Sequence, residues 1–147
     1  MQDFFYRKLL VYQHAMILLE DVYNLTKTFP QQEQHGLTNQ IQRAAVSIPS
    51  NIAEGMGRFS IKDPIRFIDI SNGSLMEVMC QLEIAHKLGY ISAEELQSQD
   101  TKIATIAKMI LGLRKNLEEK INNNSVKFEE VSGENHISNP SPLTSNH

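Results

Sequence analysis

The sequence predicts an all-α protein, an antiparallel up-down-up-down four-helix bundle. Two observations predict it. Apolar residues recur at alternating steps of three and four along four successive segments, a period that lines one side of a helix and fits no strand. Short polar or glycine-containing connections separate these segments, so consecutive helices fold back on one another and bury their stripes together.

The first segment, residues 7–28, carries Val11, Ala15, Leu18, Val22 and Leu25 at steps of 4, 3, 4 and 3. Leu10, Tyr12 and Ile17 widen the stripe. Phe29-Pro30 closes it, because the residue before a proline is driven away from helical angles. The second segment, residues 37–56, has Leu37, Ile41, Ala44, Ile48 and Ile52 in phase. Pro49 lies inside it. Its missing N–H and its ring predict a kink against the Ala45 carbonyl, and the unbroken apolar phase predicts that the helix continues. Gly55-Met56-Gly57 reads as the helix stop and turn.

The third segment is expected to start near Ser60, capped by Ser60 with Asp63 and with Pro64 in its first turn. Ile68, Ser71, Leu75, Val78, Leu82 and Ala85 form its stripe, and Gly89 its C-terminal turn. Gly73 costs helix propensity, so a close approach by the backbone at Pro49 is expected there. The fourth segment begins after Ser92, with Glu95 at the capping-box position, and carries Leu96, Ile103, Ile106, Ile110, Leu113 and Leu117. The third and fourth helices are expected to run about 25–30 residues each, the fourth fraying near Ile121.

The composition changes there, dividing the chain into a bundle domain, 1–121, and an Asn- and Ser-rich tail, 122–147, read as disordered. The 147 residues carry a net charge of -3, of which the bundle holds -1 (13 basic, 14 acidic) and the tail -2 (one basic, three acidic). A strongly basic nucleic-acid arm is thereby excluded, while a local basic patch is not. Cys80 is the only cysteine, which rules out an internal disulfide framework. No apolar run approaches the roughly 18 residues of a membrane helix, and the N-terminus lacks a signal-peptide pattern, so the expected location is cytoplasmic.

The stretch from Gln40 to Gly55, QIQRAAVSIPSNIAEG, resembles the bacterial four-helix bundle family named after a protein encoded in intervening sequences of 23S ribosomal RNA genes. Phe4 to Gln13, Arg66-Phe67, Ser71 to Glu77 and Gly89 to Ser92 extend the resemblance over about residues 3–120. It implies a compact antiparallel bundle that assembles into a ring, typically of five subunits. One relative is the accessory protein of diversity-generating retroelements, which binds a reverse transcriptase and RNA. By position, Arg43, Asn51, Glu54 and Arg58 match recurrent polar positions of the family, where they form no catalytic set, and Tyr12 stands where relatives often have tryptophan. The near-neutral bundle differs from the strongly basic retroelement protein.

No motif supports catalysis, a metal or a cofactor. His14, His35, His86, His136 and His147 form no H-E-x-x-H pattern and accompany no spaced cysteine pair. Glu83 and His86 give a single Glu-x-x-His, without the second copy that a di-metal bundle needs. Cys80 is expected to be a small buried residue. Gly55-Met56-Gly57-Arg58 lacks the spacing and the Lys-Ser or Lys-Thr ending of a phosphate loop.

Arg58, Lys62 and Arg66 cluster at one inter-helix connection and are candidate nucleic-acid contacts, diluted by Asp63 and Asp69. Arg43, Asn51 and Glu54 are candidate structural or interface polar residues: Arg43 in an ion pair with Glu54 or Asp69, and Asn51 hydrogen-bonded to backbone. Phe4, Phe5, Tyr6, Tyr12, Phe59, Phe67 and Ile70 lie off the main stripes and are expected to cover helix ends or meet another subunit. The expected function is a noncatalytic homo-oligomeric scaffold or adaptor, pentameric by resemblance. The alternative is an RNA-binding or ribonucleoprotein accessory, associated with a reverse transcriptase.

Overall fold

In a computed structural model, the four periodic segments are four helices: α1 Leu10–Thr26, α2 Leu37–Met56, α3 Asp63–Lys87 and α4 Ala93–Glu134. Residues 2–134 are described, with side chains through residue 127. The remainder of the expected tail, with His136, Pro140, Pro142 and His147, lies outside the described residues. A 3-10 turn, Phe5–Lys8, precedes α1, and another, Gln31–Glu33, sits in the α1–α2 connection.

Each helix packs on two neighbours, in the order α1, α2, α3, α4 and back to α1, and among the described residues the diagonal pairs make no close backbone approach. Adjacent helices run opposite ways. The Gln42 amide, early in α2, donates to Thr26 Oγ1 at the end of α1 at 3.0 Å. Residues 47 and 48 of α2 likewise meet residues 74 and 71 of α3 in descending order. Leu18, Ile48, Leu82 and Ile110, one from each helix, share a single buried cluster. Burying each such side chain contributes about 1.5–3 kcal/mol, so four continuous stripes outweigh the modest helix propensity of the polar faces.

The stripes are buried as the spacing predicts, with Leu25, Leu96 and Leu113 half-buried at their margins. Several local expectations need correction. Asp63 opens α3, but Ser60 does not cap it: Ser60 Oγ accepts only the Lys62 N–H, at 3.3 Å, and the cap position makes no side-chain bond. A Cβ on Gly73 would meet nothing within 4 Å, so no backbone approaches it. The tight contact is at Gly55 instead, where a Cβ would lie 2.9 Å from Phe67 Cβ and 3.3 Å from the Pro64 carbonyl oxygen. Gly55 thus serves the α2–α3 packing from inside the helix, and the turn follows it.

The fourth helix does not end near Ile121. It spans 42 residues, to Glu134. Among the described side chains, Leu117 is the last that is buried, Ile121 is half-buried, and residues 122–127 are exposed. Through residue 127 the turns beyond Ile121 are therefore held by the backbone ladder rather than by packing, which hydrophobic periodicity does not report. Gly89 has φ 80°, the left-handed geometry expected of a glycine after a helix. Ser92 and Glu95 form a complete capping box at the start of α4. Among the described residues, no helix is long and apolar enough to cross a membrane.

Candidate nucleic-acid interface

The site begins at Pro49. With no N–H at 49, the α2 ladder loses the donor that would reach the Ala45 carbonyl. Side chains supply donors to three successive carbonyls. Ser50 Oγ donates to Val46 at 2.7 Å, Asn51 Nδ2 to Ser47 at 2.8 Å, and Ser71 Oγ of α3 to Ile48 at 2.9 Å. Asn51 also donates to Ser47 Oγ at 2.9 Å, and Ser47 Oγ meets Ser74 Oγ at 2.8 Å. Asn51 is thus bonded to backbone, and α2 stays helical across the proline.

The α2–α3 connection carries the basic residues. Arg58 Nη2 pairs with Glu54 Oε1 at 2.7 Å, one turn back on the same face. The guanidinium of Arg58 also lies 4.6 Å from the centroid of the Phe67 ring, and that of Arg66 lies 4.9 Å from it. Phe67 is buried, not surplus to the core as its off-stripe position implied. Two cations on one ring explain this: their flat faces cover the aromatic surface that the stripe leaves uncovered.

Lys62 and Arg66 line an open groove with Ile65, Asp69, Ile70 and Ile121. Neither Lys62 nor Arg66 forms an ion pair among the described residues. The groove is not uniformly basic. Asp69 Oδ1 accepts from Arg114 Nε at 2.7 Å, and Arg114 also pairs with Glu118. The hydrogen bond and the charge of Asp69 both hold the Arg114 guanidinium above its usual, already high, pKa. Basic and acidic side chains therefore mix around the connection, where Lys62 and Arg66 are the basic residues without an ion pair among the described residues.

Arg43 stands apart from this cluster. Glu54 is taken by Arg58 and Asp69 by Arg114, so neither of its expected partners reaches it within the chain. Arg43 is exposed between two open grooves, one with Tyr23, Gln42, Val46 and Asn51, the other with Gln40, Ser74 and Glu77. Sequence spacing missed the Asp69–Arg114 pair because 45 residues separate its members. It missed the Phe67 stack because Arg58 and Arg66 approach from different elements.

The remaining candidates are dispersed. Cys80 is exposed, which corrects the expectation of burial; its helical position points outward from the stripe of Val78 and Leu82. His86 Nδ1 lies 3.1 Å from the Ile91 carbonyl oxygen and ties the end of α3 to the next loop. Among the described residues, no group of three or more His, Cys, Asp or Glu side chains is placed to hold a metal ion.

Comparison with known proteins gives a consistent fold. A solved structure of a protein of unknown function from the S23 ribosomal protein family of Bacteroides thetaiotaomicron is 25% identical, with a TM-score of 0.67, covering 72% of this chain and 99% of that chain. No match is found among curated proteins. The family model described as 23S rRNA-intervening sequence protein matches residues 7–112, a span that takes in α1, α2, α3 and the first part of α4. The chain belongs to the 23S rRNA-intervening sequence protein family.

Proposed function

We propose that the protein is a noncatalytic scaffold or adaptor that assembles with copies of itself, as a ring of five. The observation that carries this is an open groove between α1 and α2, lined by Met16, Ile17, Leu19, Tyr23 and Val46, with Glu20 as its one charged residue. Met16, Ile17, Tyr23 and Val46 are all exposed in the single chain. A contiguous apolar surface of this kind costs solubility unless a partner covers it. The noncatalytic character rests on the sequence, which holds no nucleophile–base or metal-ligand pattern. Light scattering on the purified protein at micromolar concentration tests the proposal. A mass that is a multiple of 16.7 kDa is expected, and monomers alone contradict it.

A second reading is an RNA-binding or ribonucleoprotein accessory, associated with a reverse transcriptase. Lys62 and Arg66, exposed and without ion pairs among the described residues, favour it. A ring would repeat these charges once per subunit and multiply their attraction for phosphates. Co-purification at native expression level, with identification of bound RNA and bound protein, separates the two readings.

A further inference from the structure

We propose that the outer face of α3 on one subunit docks into the α1–α2 groove of the next, so that copies of the chain join head to tail. The inference rests on the self-assembly proposed above and adds which surface meets which.

The contact joins two exposed apolar surfaces, one of them the groove. The other is a strip on α3: Met76, Cys80, Ile84 and, at the helix end, Leu88 recur every fourth residue, and all four are exposed. Steps of four drift by only about 40° on a helix, so these side chains form one band, on the side away from the buried Leu75, Val78, Leu82 and Ala85. Because α1 and α3 occupy diagonal corners of the bundle, the groove and the strip face different directions. No single chain brings the two together.

Charge complementarity identifies a second copy as the occupant. Glu20 borders the groove at the Met16–Tyr23 side of α1, and Arg43 borders it beyond Val46 on α2. Glu83 and Lys87, one turn apart, lie along one edge of the α3 strip beside Ile84, and Glu77 lies on its other side. Glu20, Arg43, Glu83 and Lys87 are all exposed, and none forms an ion pair among the described residues. Arg43 opposite Glu83 and Glu20 opposite Lys87 pair each charge with one of opposite sign, beside the apolar residues of the two surfaces. This is the usual arrangement of an interface, an apolar core with a polar rim. Each chain then donates its strip to one neighbour and its groove to another, a heterologous contact that closes as a ring.

The arrangement has a signature that a contact between identical faces lacks. Val46→Lys spoils the groove and leaves the strip intact; Ile84→Lys does the reverse. Both positions are exposed, so the bundle accommodates either change, and circular dichroism checks the fold. By light scattering, each variant alone is expected to be monomeric. Their equimolar mixture is expected to form a 1:1 dimer, because one intact groove meets one intact strip and both remaining faces are blocked. In a second set, Arg43→Glu and Glu83→Arg each weaken assembly of the otherwise native chain, and the double variant restores it. Wild-type oligomers with a mixture that stays monomeric, or variants that assemble alone, overturn the head-to-tail contact and leave self-assembly standing. A monomeric wild type overturns the self-assembly reading itself.

Discussion

Ser71 Oγ donates a 2.9 Å hydrogen bond to the carbonyl of Ile48, the residue immediately before Pro49, and both ends of that bond are buried. It ties α3 to the turn of α2 that a proline deprives of an amide donor. A serine in an otherwise apolar stripe is thereby explained: its hydroxyl serves a carbonyl on the neighbouring helix. Ser71→Ala is expected to destabilise the protein by about 0.5–1.5 kcal/mol, the net contribution of one intramolecular hydrogen bond. Urea unfolding followed by circular dichroism measures it, and an unchanged midpoint would remove Ser71 from the account of the proline turn.

Gly55 and Gly112 should respond in opposite senses to the same substitution. A Cβ at Gly55 lies 2.9 Å from Phe67 Cβ, so Gly55→Ala forces α2 and α3 apart and costs about 1–3 kcal/mol. A Cβ at Gly112 meets nothing within 4 Å in the middle of α4, so Gly112→Ala stabilises by up to about 1 kcal/mol through helix propensity. Paired thermal unfolding curves check both signs.

The capping box of α4 offers a local test. The Ser92 N–H donates to Glu95 Oε1 at 3.0 Å, and the Glu95 N–H donates to Ser92 Oγ at 3.1 Å. Ser92→Ala is expected to cost about 1 kcal/mol. Hydrogen exchange should quicken in the first turn of α4 while the Ile103–Ile110 region stays protected; uniform loss of protection would point to a global defect instead.

Legibility in the sequence followed the range of the interactions. The four stripes, the capping box at Ser92 and the bonding of Asn51 to backbone depend on neighbours within a turn or two, and spacing exposes them. Pro49 announced a disturbed turn, yet the donor that serves Ile48 comes from 23 residues away and has no local mark. The same distance problem hid the Asp69–Arg114 pair and left Arg43 assigned to partners already taken. Cys80 and Gly73 were misjudged for another reason. Small residues fit both a crowded interior and an open surface, and Cys80 shares its face with the exposed Met76 and Ile84 rather than with the buried Val78 and Leu82.

For the RNA-binding reading, Lys62 and Arg66 are the charges to remove. A chain with Lys62→Ala and Arg66→Ala should show a log-affinity against log-salt slope smaller by about 1.4 than the parent on single-stranded RNA, at about 0.7 per lost phosphate contact. Arg58→Ala should change the slope least, since its guanidinium is occupied by Glu54 and Phe67. Fluorescence anisotropy titrations at several salt concentrations supply the slopes; equal effects from all three residues would contradict the assignment.

Sedimentation equilibrium of the full chain across the micromolar range weighs most directly on the claim that this bundle exists to assemble. A single associated species is expected, with a mass that is a whole multiple of 16.7 kDa, five for the proposed ring. A mass of 16.7 kDa at every concentration would contradict it.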